Sequence, residues 1–178
     1  MELGAACRLS QSREVAFAAY RDRLPELVPH LPNIRAIEVK SREQEGRVVR
    51  LHNVWRGGGE IPALARALVS ESMLSWDDHA CWDEQRWCCA WRIETHVFRD
   101  AVHCQGENTF TELDGGTLLE IRGELRVDAR KVPGVPRALA GRIGRAVEQY
   151  LVGKIEPNLL QVAQGLELLL AEPASRTR

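Results

Sequence analysis

The sequence lacks a long apolar run, an excess of charge of either sign, and a basic N-terminal segment followed by an apolar one. The longest apolar stretches fall well short of the roughly 20 residues that cross a bilayer, so we expect no stable membrane insertion. The 24 basic and 25 acidic side chains nearly cancel and are interspersed along the chain. Because such a distribution does not attract a phosphate backbone, we expect no nucleic-acid partner. These absences predict a cytoplasmic protein.

Motifs for metal binding or catalysis are also missing from the sequence. The five cysteines are odd in number and irregular in spacing, which favours reduced thiols. Histidines and cysteines crowd the segment 79–104, but none has the CxxC or HxxxH spacing that sets two ligands on one ion. No GxSxG, GxGxxG or phosphate-loop pattern occurs. We therefore predict no metal, no cofactor and no catalytic residue defined by a motif.

What the chain does have is an ordinary globular composition over 178 residues, with 44% apolar and 28% charged side chains. A chain of this length buries enough surface to fold without a disulfide or a metal. We predict one domain over residues 1–178, with 172–178 as a disordered tail.

The spacing of apolar residues changes from helical to alternating and back to helical. Ser12 is a predicted N-cap for a first helix after a short strand, and prolines bound a second short helix over 24–31. Alternation then predicts a hairpin over 34–56, strands over 73–78 and 86–98, and a second hairpin over 102–112 and 117–127. A helical stripe after Pro136 predicts one long helix with a kink at Pro157.

Two segments have more than one interpretation. The glycines at 57–59 could hinge a lid over 61–68, although a plain surface connection is favoured. The Asp-Asp-His run at 77–79 could form an acid–base group with the acidic pair at 83–84. Because adjacent residues of a strand point to opposite faces, we predict a solvated turn there instead.

The order of elements resembles a known family. The segments that carry the resemblance are Ser12–Phe17 running into Leu31-Pro32, the hairpin Glu38–Trp55, and Val132–Pro136 leading into the helix that ends near Leu170. This layout is similar to the START-like superfamily, also called the Bet v 1-like or helix-grip fold, which includes polyketide cyclases and lipid-binding proteins. The resemblance covers nearly the whole chain and implies an α+β fold, in which a curved antiparallel sheet wraps around the long C-terminal helix.

Such a fold implies an internal cavity between the sheet and the helix. Alternation along the strands and the helical stripe indicate which side chains face it, although an inward Trp also suits an ordinary core. The predicted cavity residues are Asn53, Trp55, Trp87, Trp91, Thr95, Asn108, Phe110, Leu139, Ile143, Val147 and Tyr150.

Three functions fit these residues. The first is binding or transport of a hydrophobic small molecule, such as a lipid, sterol or polyketide, with Trp87 and Trp91 as stacking walls and Asn53 or Asn108 orienting a polar group. The second is a cyclase or aromatase in which Tyr150 or Asn108 moves protons. The third is a protein-interaction module whose apolar groove takes a partner's helix or a membrane lipid. The sequence also allows a homodimer. Chemistry needs an inward ionisable residue, and the pattern identifies no inward Asp, Glu, Lys or His, so binding is favoured.

Overall fold

In the described part of the chain, seven antiparallel strands form one curved sheet. The computed structural model describes residues 1–58 and 75–171 of the chain. In chain order the strands are β1 (Glu2–Leu9), β2 (Ile34–Glu45), β3 (Val48–Gly57), β4 (Ser75–Asp83), β5 (Cys88–Thr95), β6 (Val102–Leu113) and β7 (Gly116–Val127). Their order across the sheet is β1-β7-β6-β5-β4-β3-β2, which leaves β1 and β2 as the edges.

Two short helical segments connect β1 to β2, as the sequence predicts. The helix α1 (Arg13–Asp22) begins after Ser12, whose Oγ accepts a hydrogen bond from the Val15 backbone N–H at 3.4 Å. This bond satisfies one of the N–H groups that a helix start leaves without an intrahelical partner. The second segment is a 3-10 helix over Leu24–His30 with proline in its first turn. Both predicted helices are therefore confirmed.

The C-terminal helix α2 (Ala140–Ala171) is 32 residues long and continues through Pro157. Its second half buries Val162, Ala163, Leu166 and Leu169 in the main apolar core, together with α1, the 3-10 helix and the sheet. Its first half packs on a smaller apolar cluster. The predicted long helix is confirmed, and its two halves pack on different apolar clusters.

Carboxylates of α2 hold the helix against the sheet. Glu156 Oε1 accepts a hydrogen bond from the Gly4 backbone N–H on the edge strand β1 at 3.1 Å, and Glu167 Oε1 accepts one from the Ser10 N–H at 2.6 Å. Glu148 Oε1 accepts a third from the Val127 N–H at 2.8 Å. These charged acceptors form stronger bonds than neutral ones, so they fix the position of α2 along β1 and β7.

Two strand predictions need correction. The strand predicted to stop at Asp78 runs on to Asp83, so the Asp-Asp-His run lies inside β4 and the predicted solvated turn is wrong. The strand predicted over 86–98 is the shorter β5, because Trp87 has a positive φ of 54° and lies in the turn before it. A positive φ interrupts extended backbone, so β5 starts at Cys88, two residues later than expected.

Two other predictions, the lid over 61–68 and the tail over 172–178, lie outside the described residues. Within the described residues, neither helix has the length and apolar character needed to cross a membrane.

Candidate functional site

The inner face of the sheet, which is the face covered by α2, carries a group of polar and aromatic side chains at its centre. We call this group the inner-face cluster, and its members are Asn53, Trp55, Trp76, Asp78, Trp91 and Asn108. The register places Asn53 opposite Asp78 and Trp55 opposite Trp76. Asn53, Trp55 and Asn108 are buried, whereas Trp76, Asp78 and Trp91 keep part of their surface accessible. The cluster therefore combines buried side chains with half-buried ones whose surface is partly open to solvent.

Asp78 is the ionisable group of the cluster. Its Oδ2 accepts hydrogen bonds from Asn53 Nδ2 at 3.1 Å and from Trp55 Nε1 at 3.4 Å. Burial raises the pKa of the Asp78 carboxyl above its ordinary value, although both hydrogen bonds and the nearby His79 and His52 act in the opposite direction. A carboxyl group whose charge is this poorly solvated can act as a proton donor or bind a cation.

The Trp91 ring lies against the backbone of two glycines, Gly106 and Gly123. A Cβ added at Gly123 would meet its indole at 2.7 Å, and a Cβ added at Gly106 would also overlap the ring. The indole N–H donates to Asn108 Oδ1 at 2.8 Å, which fixes the orientation of the ring. Trp91 also packs against both apolar clusters, so it lies where the two regions of the interior meet.

Tyr20 of α1 extends the polar network from the helix side. Its ring is buried against Trp82 and Phe110. Burial raises the pKa of the Tyr20 phenol, as do the neighbouring Cys89 and Asp78, while a hydrogen bond with Asn108 lowers it. Tyr20 is therefore a neutral hydroxyl at physiological pH, available as a hydrogen-bond donor.

Several predicted cavity residues lie in or beside the cluster. Asn53, Trp55, Trp91 and Asn108 belong to it, and Thr95 extends it along β5, opposite Trp76. The Thr95 hydroxyl donates to the Val97 carbonyl at 2.8 Å, so its proton already has a hydrogen-bond acceptor within the protein. Whether these residues contact a ligand stays a prediction.

Two other predicted residues lie apart from the cluster. Trp87 is in the β4–β5 turn, where it packs edge-on against Phe17 and lies 4.5 Å beneath the Arg13 guanidinium. Phe110 is 3% exposed and fills the aromatic core formed with Phe17, Tyr20 and Trp82. Trp87 and Trp91 therefore do not form one pair of stacking walls.

The predicted helix residues need a correction of register. Leu139, Val147 and Tyr150 expose 47%, 37% and 66% of their surface, so they do not face the sheet, and only Ile143 is half-buried. Leu151, Val152 and Ile155 face the smaller apolar cluster instead. The predicted stripe began one position too early, and a shift of one residue turns a side chain by about 100° around the helix.

The sequence interpretation missed Asp78, Trp76 and Tyr20. Trp76, Asp78, Ala80 and Trp82 alternate with polar residues, and this two-residue period is the signal that could have placed Asp78 on the inner face. The local run of polar residues obscured that period. Tyr20 follows Ala16 and Phe17 at helical spacing, which could have identified it on the buried stripe of α1.

The outer face of β4 carries a second charged group. Asp77 accepts hydrogen bonds from His52 at 2.7 Å and His96 at 3.0 Å if each donates from Nε2, and the His52 and His79 rings stack at 4.7 Å. Within residues 1–58 and 75–171, no three His, Cys, Asp or Glu side chains come together as metal ligands.

Comparison with known proteins places this geometry in a known fold. The protein TTHA0849 from Thermus thermophilus aligns over 97% of this chain and 100% of its own, with a TM-score of 0.66 and 16% identity. The ZhuI aromatase/cyclase from Streptomyces sp. R1128 aligns over 94% and 91%, with a TM-score of 0.62 and 17% identity. A START superfamily protein from Mycobacterium smegmatis aligns over 96% and 99%, with a TM-score of 0.55 and 17% identity. No protein-family model and no curated protein sequence matches the chain.

The topology and these alignments show that the chain has the START-like, Bet v 1-like helix-grip fold. The resemblance inferred from the sequence is confirmed at the level of fold. At these identities the likeness defines architecture, and function depends on the chain's own site.

Proposed function

We propose that this protein binds a hydrophobic small molecule, such as a lipid, sterol or polyketide, between the inner face of the sheet and α2. The observation that carries the proposal is the half-buried ring of Trp91, which lies against Gly106 and Gly123 on the same face of the sheet as the half-buried carboxyl group of Asp78. An apolar wall with a small number of placed polar groups is the usual composition of a small-molecule site.

The architecture supports the same proposal. One structural neighbour is named as an aromatase/cyclase and another as a START superfamily protein. Trp91 packs against both apolar clusters, so a ligand held against its ring would lie where the two clusters meet.

A cyclase or aromatase activity is the second candidate, and Asp78 favours it. Binding alone needs no inward ionisable group, whereas proton transfer does. Asp78 supplies a carboxyl with a raised pKa, and Tyr20 supplies a buried hydroxyl near it. These two residues replace Tyr150, whose exposure removes it from the interior. A substrate that the protein converts, with the conversion lost in Asp78→Asn, would establish this activity over simple binding.

Two measurements test ligand binding. Native mass spectrometry of the purified protein, followed by solvent extraction, would identify any apolar molecule that co-purifies. Titration with the neutral dye N-phenyl-1-naphthylamine would report an accessible apolar site through its fluorescence. A protein that carries no extracted molecule and does not bind the dye would contradict the proposal.

Trp91→Leu locates the site, and Trp87→Leu is its matched control. Both tryptophans are half-buried, but only Trp91 belongs to the inner-face cluster. We expect Trp91→Leu to weaken dye binding about tenfold, the loss typical of an aromatic residue central to an interface, and Trp87→Leu to leave it unchanged. Circular dichroism establishes that both variants are folded. Equal affinities in folded variants would remove Trp91 from the site.

A further inference from the structure

Asp78 has two hydrogen-bond donors but no cationic partner among the described residues. Asn53 and Trp55 donate to the same oxygen, Oδ2. None of the ion pairs between described side chains includes Asp78, although its neighbour Asp77 pairs with two histidines. A carboxylate that is partly removed from water and has no ion-pair partner is costly, and a cation placed beside it removes much of that cost.

Asn53 provides an independent sign that a donor is missing. Its side chain is fully buried, and while Nδ2 donates to Asp78, Oδ1 has no hydrogen-bond partner. Exchanging the amide oxygen and nitrogen would leave the nitrogen unpaired instead, so neither orientation satisfies the side chain through described residues. Buried polar atoms are rarely unpaired in folded proteins, and a ligand or a water is the usual partner.

Aromatic rings adjoin this carboxyl along the strands. The rings of Trp55 and Trp76 stack with centroids 5.9 Å apart and an interplanar angle of 14°. Trp76 lies two residues from Asp78 on the same face of β4, and part of its surface is accessible. Ring faces attract cations, and they also pack against apolar molecules.

We propose that Asp78 binds a basic amino group carried by the hydrophobic ligand, an inference that rests on the binding function proposed above. The ammonium group donates to the half-buried carboxylate of Asp78, and the rings of Trp76 and Trp91 contact the apolar part of the molecule. Asn53 holds the carboxylate in position through its amide N–H. The ligand class is therefore an apolar or aromatic amine.

Ligands that carry only acceptors fit this site less well. A ketone or carboxylate would face the Asp78 carboxylate without a proton to share, unless Asp78 were itself protonated. Such a ligand would also leave the charge of an ionised Asp78 uncompensated. We therefore expect the protein to bind an amine more tightly than a carbonyl compound of similar size, and this difference in affinity can be measured.

The experiment is displacement of N-phenyl-1-naphthylamine from the purified protein by three compounds of similar size. They are 2-naphthylmethylamine, 2-acetylnaphthalene and 2-ethylnaphthalene, which carry a cation, an acceptor and no polar group. We expect the amine to bind at least tenfold more tightly than the other two. A protein that binds the dye but prefers the ketone, or distinguishes none of the three, would overturn the amine proposal while leaving the proposed function intact.

Asp78→Asn and Asp77→Asn are the paired variants. Each removes one carboxylate from β4, on the inner and outer face respectively. We expect Asp78→Asn to lose the preference for the amine while still binding 2-ethylnaphthalene, and Asp77→Asn to keep that preference. An amine preference that survives in Asp78→Asn would contradict the proposal. Failure of the dye and of all three compounds to bind the wild type would contradict the binding function itself.

Discussion

Asp77 and Asp78 follow one another on β4, yet their carboxyl groups lie on opposite faces of the sheet and their pKa values shift in opposite directions. Burial acts to raise the pKa of Asp77, but the hydrogen bond from His52 and the charges of His96 and His52 outweigh it and lower the pKa. For Asp78, burial dominates. The comparison shows that the face of a strand, and not the local sequence, decides what an acidic residue does.

The surroundings of the two carboxyl groups differ in the same way. On the outer face, Glu94 on β5 forms ion pairs with Arg92 and Arg99, close to the pairs of Asp77. Charges there are balanced by partly solvated partners. On the inner face, polar groups are bonded to buried amides and indoles. The outer network contributes modestly to stability, whereas the inner cluster leaves a carboxyl group available to a ligand.

The largest expected effect comes from adding a methyl group at Gly106, where the Trp91 ring contacts the backbone closely. In Gly106→Ala the added methyl group would overlap the Trp91 ring and the Arg122 carbonyl. We expect a loss of about 1–3 kcal/mol in the free energy of unfolding, measured by urea denaturation, because an overpacked site must shift its neighbours. In Gly4→Ala on β1, nothing lies within 4 Å of the added methyl, so it is the matched control. Equal losses in the two variants would contradict the close packing of Trp91.

Asp78→Asn tests how the raised pKa of the inner-face carboxyl group affects stability. A folded-state pKa raised above the unfolded value, near ~3.9, means that stability falls as pH rises through the folded-state pKa. Because Asn keeps an acceptor but no charge, we expect a gain of about 0.5–2 kcal/mol at pH 7, typical of removing a strained functional group. Thermal unfolding should show the gain at pH 7 and a smaller one near pH 4. A loss of stability at pH 7 would count against the raised pKa.

Asp77→Asn is expected to have the opposite sign and the smallest size. A lowered folded-state pKa contributes stability above the unfolded value near ~3.9, and this contribution is lost as pH falls through the folded-state pKa. At pH 7 we expect a loss of about 0.5–1 kcal/mol, the scale of partly exposed ion pairs. The exposed Asp100 provides the control, and Asp100→Asn should leave the urea midpoint unchanged. A gain in stability of Asp77→Asn at pH 7 would contradict the lowered pKa of Asp77.

Regular patterns made most of the fold predictable. Strict alternation along β7 and the turn around Gly115, which has a φ of 73°, defined the last hairpin. The Ser12 cap defined the start of α1, and helical spacing of apolar residues on both sides of Pro157 defined α2. These signals are local and repeat over many residues, so tertiary contacts reinforce them.

The site was less predictable because it depends on side chains from several strands. Asn53 and Asp78 are 25 residues apart, and only the β3–β4 register brings them together. Trp87 was misplaced because one residue with a positive φ shifts the start of β5. Tyr150 was misplaced because helical stripes of apolar residues overlap at neighbouring positions. Alternation identifies the face of a residue, but it does not identify its partners.

The carboxylates of α2 have a consequence for assembly. Strand edges carry backbone groups that can recruit a strand from another molecule, and this is a common route to aggregation. Glu156 and Glu167 occupy the Gly4 and Ser10 N–H groups along the β1 edge, while the opposite edge strand, β2, presents exposed charged residues between Glu38 and Glu45. Among the described residues both edges are therefore poor templates for a further strand, which favours side-chain surfaces over strand pairing as the place for a dimer contact.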